Sequence, residues 1–291
     1  MTKSIDRRAF LQRAAALSVA LPNLRMPARR APLILRVALI DSGDGAAARR
    51  LGAAMGVNEA KRSAALFGGD IVLTVVSAAA IAREPLTVNA ILGGGSRDEC
   101  LGYAGVAAKR GALFVNVGCT DDALRGADCA PLMFHAAPSD AMLSDAMRLA
   151  HGGDGAHAAA WDPALEKFGA DTLNDRFRVE TKTGMTQEAW LAWVAVKILW
   201  ESVLRARSVA GDALAAHLVK ETTQFDGHKG RPLSFRAWDH QLRQPLYVVT
   251  PAASGKPAIV EEPPARDDEP SREALDRLGT TAAQTACRLR S

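Results

Sequence analysis

The sequence predicts an α/β protein in which one parallel sheet carries helices on both faces. Several short runs are continuously apolar and β-branched, as expected of strands that are buried on both sides. Stretches with helical periodicity separate these runs, and such alternation is typical of βαβ units in a parallel sheet. The predicted strands are 34–40, 71–76, 88–92 and 112–117, and the predicted helices among them are 46–65 and 97–110.

The second half of the chain predicts longer helices and fewer strands. Ser139 is a natural N-cap for a helix that ends at Leu149, and Thr186 for a long helix that ends near Arg205. The long helix contains three tryptophans and is apolar almost all round, so we expect it to be buried, with Glu201 and Arg205 paired on its one polar edge. The remaining predicted elements are an extended segment at 129–138, a helix within 161–177, a helix at 212–220 and a hairpin of short strands at 233–236 and 245–249.

The first thirty residues have the features of an export signal. Arg7 and Arg8 are followed, after one residue, by a Phe-Leu pair and then by an apolar run that is too short to span a membrane. This order resembles a twin-arginine signal, which implies export to the periplasm by the twin-arginine route. The small residues that end at Ala20 form one candidate cleavage site, and a site near Ala28 is the alternative.

Charge and hydropathy argue against two classes of function. The whole chain has a formal charge of +4, but residues 1–30 hold seven Lys or Arg and one Asp, so the charge without them is −2. No basic stripe with interleaved aromatic residues remains, which argues against a nucleic-acid partner. Beyond the N-terminal run, no apolar stretch reaches membrane-spanning length, so the exported protein is expected to be soluble.

The exported chain contains four cysteines, Cys100, Cys119, Cys129 and Cys287. An even count in an oxidising compartment permits two disulfides, and four cysteines allow three pairings. The sequence does not choose among these pairings. We favour Cys129 with Cys287, because that bond would attach the C-terminal tail to the rest of the protein. No two cysteines are spaced as CxxC, so neither a zinc site nor a redox dithiol is predicted.

A candidate ligand site follows from the predicted sheet. In an open parallel sheet, ligands bind outside the carboxyl ends of the strands. The Gly-Gly-Gly-Ser segment at 93–96 joins a strand to a helix there, and the N–H groups of such a helix start can bind a carboxylate or phosphate. A tight strand-to-helix turn without a ligand is the alternative interpretation. The predicted ligand-binding residues are Ser42, Gly94, Gly95, Ser96, Arg97, Cys119 and Thr120.

No sequence pattern marks a catalytic centre. The six histidines are scattered, and neither an HxxxH pair nor a GxSxG elbow occurs. Asp239 and His240 suggest part of a catalytic triad, but no nucleophile accompanies them. Asp121 and Asp122 could bind a metal, although adjacent carboxylates on a loop more often cap the turn that follows. We therefore predict a protein that is not an enzyme, with no metal and no resident cofactor.

Several segments resemble one family of receptors. The stretch FDGHKGRPLSFR, from Phe225 to Arg236, resembles the late region of type 1 periplasmic binding proteins, the branched-chain amino-acid receptor group of ABC transporters. The continuation WDHQLRQP, from Trp238 to Pro245, is similar to the subgroup associated with alcohol dehydrogenases that depend on pyrroloquinoline quinone (PQQ). The segments 121–126 with Cys129, 189–197 and 275–287 match that subgroup as well.

The resemblance implies the three-layer fold of these receptors, but with essentially one lobe. The receptors place a second α/β lobe before the long helix, whereas only residues 136–186 occupy that interval here. Two crossover units of roughly 30 residues each would be needed for such a lobe, so the interval is expected to be a remnant, and hinge closure between two equal lobes is not expected. The expected organisation is a signal at 1–30, the lobe at 31–250, a Pro-rich linker at 251–270 and a helical tail at 271–291.

For function, the resemblance implies a periplasmic ligand-binding protein of a PQQ-dependent alcohol oxidation system. It would bind a small anionic ligand, such as PQQ, and would work with an ABC permease. The alternative is an accessory or scaffold protein that docks to a quinoprotein dehydrogenase and transports no small molecule. An exposed cleft face would also favour a homodimer or a larger ligand, and a degenerate paralogue without function is the remaining alternative.

Overall fold

Strands and helices alternate through the first half of the chain, as the sequence predicts. The computed structural model describes residues 32–83, 85–151, 153–250, 258–260 and 271–289. The strands are β1 (Ile34–Ile40), β2 (Asp70–Val76), β3 (Ala90–Gly93), β4 (Leu113–Asn116), β5 (Met133–His135), β6 (His157–Ala159), β7 (Ser234–Phe235), β8 (Leu242–Arg243), β9 (Tyr247–Thr250) and β10 (Ala258–Val260). The helices are α1 (Ala46–Phe67), α2 (Ala78–Arg83), α3 (Arg97–Lys109), α4 (Asp140–Leu149), α5 (Ala170–Thr181), α6 (Gln187–Ala206), α7 (Gly211–Leu218) and α8 (Ser271–Asp276), with short 3-10 helices at Asp122–Arg125 and Lys167–Gly169.

The first five strands form one parallel sheet in the order β2-β1-β3-β4-β5. The four strands predicted from the sequence are all present. The fifth, β5, lies within the segment 129–138, which was predicted only as extended, and the short helix α2 was not predicted. Residues 240–241 lie along the outer edge of β5, where the N–H of His135 donates to the carbonyl of His240 at 3.0 Å.

The side chains of β1 show how the protein is layered. Successive side chains of a strand point to opposite faces of its sheet. Leu35, Val37 and Leu39 belong to a core that they share with α1 and α6. Ala38 and Ile40 belong to a second core, built on α2 and α3. Helices therefore cover both faces of the parallel sheet, which confirms the predicted α/β fold class.

The long helix α6 is buried along most of its length, as predicted, with 13 of its 20 residues buried. The hydroxyl of Thr186 accepts a hydrogen bond from the N–H of Ala189 at 3.4 Å and caps the helix. The predicted pair of Glu201 and Arg205 is present at 2.9 Å. α6 packs closely on α1 at Gly52, where a Cβ atom would lie only 1.9 Å from the backbone oxygen of Ala189.

The helix predicted within 161–177 is present as α5, which begins at Ala170 and continues to Thr181, while the ring of Trp161 stacks on Trp190 ahead of it. Two other predictions for the second half were wrong in detail. The predicted hairpin partners do not pair: β7 pairs with β8, and β9 pairs with β6 and β10. The predicted linker also contains a strand, β10, because residues 258–260 find a partner in the antiparallel edge of β9.

The C-terminal tail, residues 271–289, is attached to the rest of the protein by ion pairs and by a disulfide. The carboxylate of Asp276 accepts hydrogen bonds from Arg236 at 3.0 Å and from Arg243 at 2.7 Å. The favoured cysteine pairing is present, since Cys129 is bonded to Cys287 across 158 residues of sequence with a Cα–Cα distance of 5.6 Å. The predicted export signal and most of the predicted linker lie outside the described residues.

Candidate functional site

The predicted ligand-binding residues lie on the loops that follow β1, β3 and β4, except Arg97, which is the first residue of α3. These loops, residues 41–45, 94–96 and 117–121, are called the rim below. Ser42 begins the first loop, and its hydroxyl lies 3.3 Å from the phenol oxygen of Tyr103. The backbone oxygen of Ser42 accepts a hydrogen bond of 2.6 Å from Arg49, a buried arginine of α1. Burial lowers the pKa of Arg49, and the charges of Glu188 and Asp41 oppose that effect.

Two glycines bring the second and third loops together. A Cβ atom on Gly94 would lie 2.8 Å from the Cα of Gly118, and a Cβ on Gly118 would lie 3.2 Å from the Cα of Gly94. A Cβ at Gly94 would therefore force the backbone to shift, and one at Gly118 would be tightly packed. Gly94 is therefore required for backbone packing within the rim, and this result supports the tight-turn interpretation of that residue.

Ser96 is the N-cap of α3, and the chain itself supplies an anion at this helix N-terminus. The carboxylate of Glu99 accepts hydrogen bonds from the backbone N–H of Ser96 at 2.8 Å and from its hydroxyl at 2.9 Å. In return, the Ser96 hydroxyl accepts from the N–H of Glu99 at 3.3 Å. These two bonds to Ser96, the backbone one first, lower the pKa of Glu99. Gly95 precedes them with a φ of 123°, a conformation that strongly favours glycine.

Arg97 also has a partner within the protein. Its Nε donates to the carboxylate of Asp128 at 2.6 Å, and this hydrogen bond is the main reason that the pKa of Arg97 is raised. The positive charge that the sequence offered to an anionic ligand is thus already paired, although both side chains remain partly accessible. A ligand anion would compete with Asp128 for Arg97, as it would compete with Glu99 for Ser96.

Cys119 and Thr120 complete the predicted set on the loop after β4. Cys119 is buried and belongs to the same core cluster as Cys100 of α3. The backbone oxygen of Thr120 accepts from the N–H of Asp140 at 2.8 Å, which connects the rim to the start of α4. The structure thus brings all seven predicted residues to the carboxyl edge of the sheet, with Gly95, Ser96 and Arg97 exposed to solvent.

The two adjacent carboxylates act as caps. Asp121 accepts from the N–H of Ala123 at 2.8 Å, and Asp122 accepts from the N–H of Ala141 in the first turn of α4 at 3.2 Å. Within the residues that the structure describes, no group of three or more His, Cys, Asp or Glu side chains is arranged to hold a metal ion.

Behind the rim lies a buried polar network that sequence reasoning missed. Arg125 is its centre: it donates to Gln241 at 2.9 Å and to the backbone oxygens of Cys119 at 3.1 Å and Ala137 at 2.7 Å. Burial lowers the pKa of Arg125 to about 10. The side chain of Asn116 accepts from the N–H groups of Gly118 at 3.0 Å and Cys119 at 2.8 Å, and this fixes the third rim loop.

The structure separates the Asp239–His240 pair that suggested a triad. Asp239 faces the guanidinium of Arg236 at 3.6 Å and accepts from the N–H of Gln241 at 3.0 Å. His240 stacks on Phe134, and its Nδ1 lies 3.1 Å from the backbone oxygen of Met133. Burial lowers the pKa of His240 to about 4 and raises the pKa of Asp239. Both side chains have a structural role in the core.

Solved structures of known proteins resemble this chain in fold. A periplasmic binding protein from Burkholderia mallei matches with a TM-score of 0.69 and 13% identity, over 89% of this chain and 99% of that one. The branched-chain amino-acid substrate-binding protein LivJ from Streptococcus pneumoniae, in complex with isoleucine, matches with a TM-score of 0.64 and 13% identity, over 79% and 100%. A solute-binding protein of an ABC transporter from R. palustris, in complex with benzoate, matches with a TM-score of 0.65 and 13% identity, over 89% and 100%.

The fold is therefore periplasmic-binding-protein-like. At this level of identity the likeness concerns the fold alone. No protein-family model matches the chain, and no curated protein matches it significantly. Among the described residues, no helix combines the length and apolar character that crossing a membrane requires.

Proposed function

We propose that the protein is a periplasmic ligand-binding protein that binds a small carboxylate at the rim. The observation that carries this proposal is the convergence of Ser42, residues 94–97 and residues 119–120 on the carboxyl edge of the sheet, in a receptor-like fold. The ligands named for structures of similar fold, isoleucine, benzoate and 3,4-dihydroxybenzoic acid, are all carboxylic acids. That common chemistry supports an anionic ligand here.

The carboxylate of Glu99 indicates how such a ligand would bind. It receives the Ser96 N–H and hydroxyl at 2.8 and 2.9 Å, so this site has the geometry that a carboxylate needs. A ligand carboxylate would take the place of Glu99, which would move toward solvent from an exposed position. Because the ligand displaces an existing hydrogen-bonded group, we expect affinities in the micromolar range or weaker, about −8 kcal/mol or less favourable.

The physiological setting that we propose is a PQQ-dependent alcohol oxidation system with an ABC permease as partner. The sequence motifs at 225–236 and 238–245 support this setting. The twin-arginine pattern at residues 7–11 supports export by the twin-arginine route. PQQ carries carboxylate groups and belongs among the candidate ligands on the same chemical ground as benzoate.

The test is isothermal titration of the purified protein with benzoate, isoleucine and PQQ. Replacing Ser96 by Ala removes one donor to the carboxylate, and we expect binding to weaken about tenfold, since one lost hydrogen bond costs on the order of 1.4 kcal/mol. The matched control is Ser139→Ala. Ser139 also caps a helix, but it is buried and Gly279 of the tail covers it.

Both variants should lose about 1 kcal/mol of folding free energy from the lost cap. Only Ser96→Ala should lose affinity. Failure of all three compounds to bind, or equal binding by the two variants, would refute the carboxylate site.

A second candidate function is an accessory or scaffold protein that docks to a quinoprotein dehydrogenase. The segment 136–186 favours it, because its described part contains α4, α5 and a single strand, β6, which pairs with β9. That is less than a second α/β lobe requires, so we propose that the rim faces outward, where a partner protein could cover it. Co-purification from the periplasm tests the idea, and recovery of no dehydrogenase subunit would exclude it.

A further inference from the structure

The strand β2 has one edge that no other strand of the described residues covers. It is the last strand on one side of the parallel sheet, with β1 as its neighbour. At the start of β2, the N–H of Asp70 donates to the carbonyl of Leu33 at 2.9 Å. At its end, the carbonyl of Val76 accepts from the N–H of Asp41 at 2.8 Å. The even-numbered residues therefore bond to β1, and in a parallel pair the residues between them point outward. These are Ile71, Leu73 and Val75.

The sequence of β2 does little to protect this edge. Natural edge strands are usually short, or carry lysine, proline or a bulge that prevents another strand from pairing. β2 is seven residues long, keeps an unbroken register with β1, and has the sequence DIVLTVV, whose one charge is Asp70 at its start. The Asp70 carboxylate accepts from the N–H of Ile71 at 2.8 Å and so occupies the first outward donor. Beyond it, the backbone of Leu73 and Val75 is presented to a partner.

Exposed apolar side chains are concentrated on β2 and on α1, the helix that packs on it. Seven large apolar side chains are exposed among the described residues, and five of them belong to these two elements. They are Val72 and Val75 of β2, and Leu51, Leu66 and Phe67 of α1. Covering such side chains removes apolar surface from water, which favours association.

The outer side of α1 also allows close approach. Gly52 lies against α6, and Ala47, Ala54 and Ala65 lie on the opposite side of α1, given the helical spacing. All three alanines are exposed. Small side chains let two helices pack at the short end of the usual interaxial distance of about 8–10 Å. A second helix could therefore lie beside α1 while a second strand pairs with β2.

We propose that a second copy of this chain covers this edge, with its β2 antiparallel to β2 across a two-fold axis at Leu73. Leu73 and its copy would then exchange both backbone hydrogen bonds, and the N–H of each Val75 would donate to the carbonyl of the opposite Ile71. The two Asp70 carboxylates would lie at opposite ends of the pairing, about 20 Å apart, so their charges would not oppose it. The inference does not depend on the ligand at the rim.

The size of this surface fits a second copy. α1 has 22 residues and is therefore about 33 Å long. One helix layer and the sheet beneath it are together about 20 Å deep, so the strip measures on the order of 650 Å² on each copy. A standard interface buries about 800 Å² on each partner, and α2 on the other face of the sheet extends the strip toward that area. An identical edge matches this one in length and in apolar character.

Light scattering after size-exclusion chromatography of the purified protein, over a range of concentrations, tests the proposal. We expect twice the mass of one chain at the higher concentrations. Val75→Lys should weaken the dimer by on the order of a hundredfold, about tenfold for each of the two lysines that enter the contact. The matched control is Val179→Lys on α5, where the valine is 71% exposed, and this variant should dimerise as wild type does. A wild-type monomer at every concentration, or equal dimerisation of the two lysine variants, would overturn the proposal.

Hydrogen–deuterium exchange of the wild type tests the strand pairing without a variant. Exchange of the Leu73 and Val75 amides should slow at least about tenfold as the protein concentration rises through the dimerisation range. Fast exchange of both amides in the dimer would show that the two copies meet elsewhere, and would contradict the pairing. Slow exchange in a protein that stays monomeric would show that another segment of the same chain, such as 1–30 or 261–270, covers the edge, and would also overturn the proposal.

Discussion

Single carboxylates determine what the rim offers to a ligand. Glu99 at the start of α3 and Asp122 at the start of α4 each accept hydrogen bonds from backbone N–H groups of a helix N-terminus. These groups are the ones that an anionic ligand would use. The chain thus already supplies anions to these N–H groups, and a ligand at the proposed site would have to exchange with them.

The charge of Glu99 should be visible in the pH dependence of stability. Its pKa is lowered in the folded protein, first by the backbone N–H of Ser96 and then by the Ser96 hydroxyl. The carboxylate therefore stabilises the folded protein fully above the unfolded pKa of about 4.3. This stabilisation is lost as the pH falls through the pKa of Glu99 in the folded protein. Glu99→Gln should lower the free energy of unfolding at neutral pH by about 0.5 kcal/mol. It should also remove the loss of stability in acid that comes from protonation of Glu99.

Urea unfolding of Glu99→Gln and wild type at neutral pH and near pH 3 measures this difference. The matched control is Asp98→Asn, which removes a carboxylate from the same helix turn but leaves the Ser96–Glu99 bonds intact. If the two proteins differ in free energy of unfolding by the same amount near pH 3 as at neutral pH, the charge of Glu99 is not the cause. Glu99→Gln should also bind benzoate more tightly than wild type, since one competing charge is gone.

At the scale of elements, the contact of α1 with α6 depends on one glycine. A Cβ on Gly52 would lie 1.9 Å from the oxygen of Ala189, so Gly52→Ala must push the two helices apart. Overpacking of this kind costs about 1–3 kcal/mol, and backbone displacement raises the cost, whereas alanine gains at most about 1 kcal/mol in helix propensity. We expect a net loss of at least 2 kcal/mol.

Gly102→Ala on α3 is the control for that variant. A Cβ at Gly102 meets no atom within 4 Å, so the substitution should raise the free energy of unfolding by about 0.5–1 kcal/mol. Thermal or urea denaturation of both variants gives the comparison. A Gly52→Ala protein as stable as Gly102→Ala would show that α1 and α6 do not pack as described.

The elements of the parallel sheet could be predicted because their signals are local. The apolar run that predicts β1 lies within β1 itself. The Thr186 cap and the apolar residues that predict α6 likewise lie at or within that helix. The pairing of β6 with β9 could not be predicted, because it joins strands that lie some 90 residues apart in the sequence and are only three and four residues long. The capping box of Ser96 and Glu99 is a local pattern that could have been found, but the helix start was interpreted as open to an anion.

At the scale of the whole molecule, the tail completes the fold through Asp276. Its carboxylate is the counter-charge of two buried arginines, Arg236 and Arg243, at 3.0 and 2.7 Å. Asp276→Asn leaves these guanidinium groups without that charge, and we expect a loss of about 2–3 kcal/mol, since Asp276 is partly accessible. The disulfide keeps the tail tethered in this variant, so urea unfolding should remain reversible.

Asp175→Asn is the matched control for Asp276→Asn. Asp175 pairs with Arg178 on the surface of α5, where both side chains are more than half exposed. Removal of such a pair should change the free energy of unfolding by no more than about 0.5 kcal/mol. Comparable losses in the two variants would show that the tail contact contributes little to stability.

The convergence of the rim loops could be predicted, but the buried network that shapes them could not. Parallel strands bring their carboxyl ends to one edge, so Ser42, Ser96 and Cys119 were assigned to the same rim from topology alone. The side chains that fix the rim come from distant parts of the chain, as Arg125 and Gln241 show with a separation of 116 residues. No local pattern marks a buried arginine as the partner of a glutamine so far away.

Hydrogen–deuterium exchange with and without benzoate, isoleucine or PQQ tests the proposal that this receptor-like protein binds a carboxylate at its rim. At saturating ligand, amide exchange should slow at 41–45, 94–99 and 117–121 for at least one compound, with no comparable change in α7 or β10. Slower exchange confined to another surface, such as the groove between α1 and α5 that Arg62 and Arg176 line, would contradict it. So would unchanged exchange at the rim with every compound.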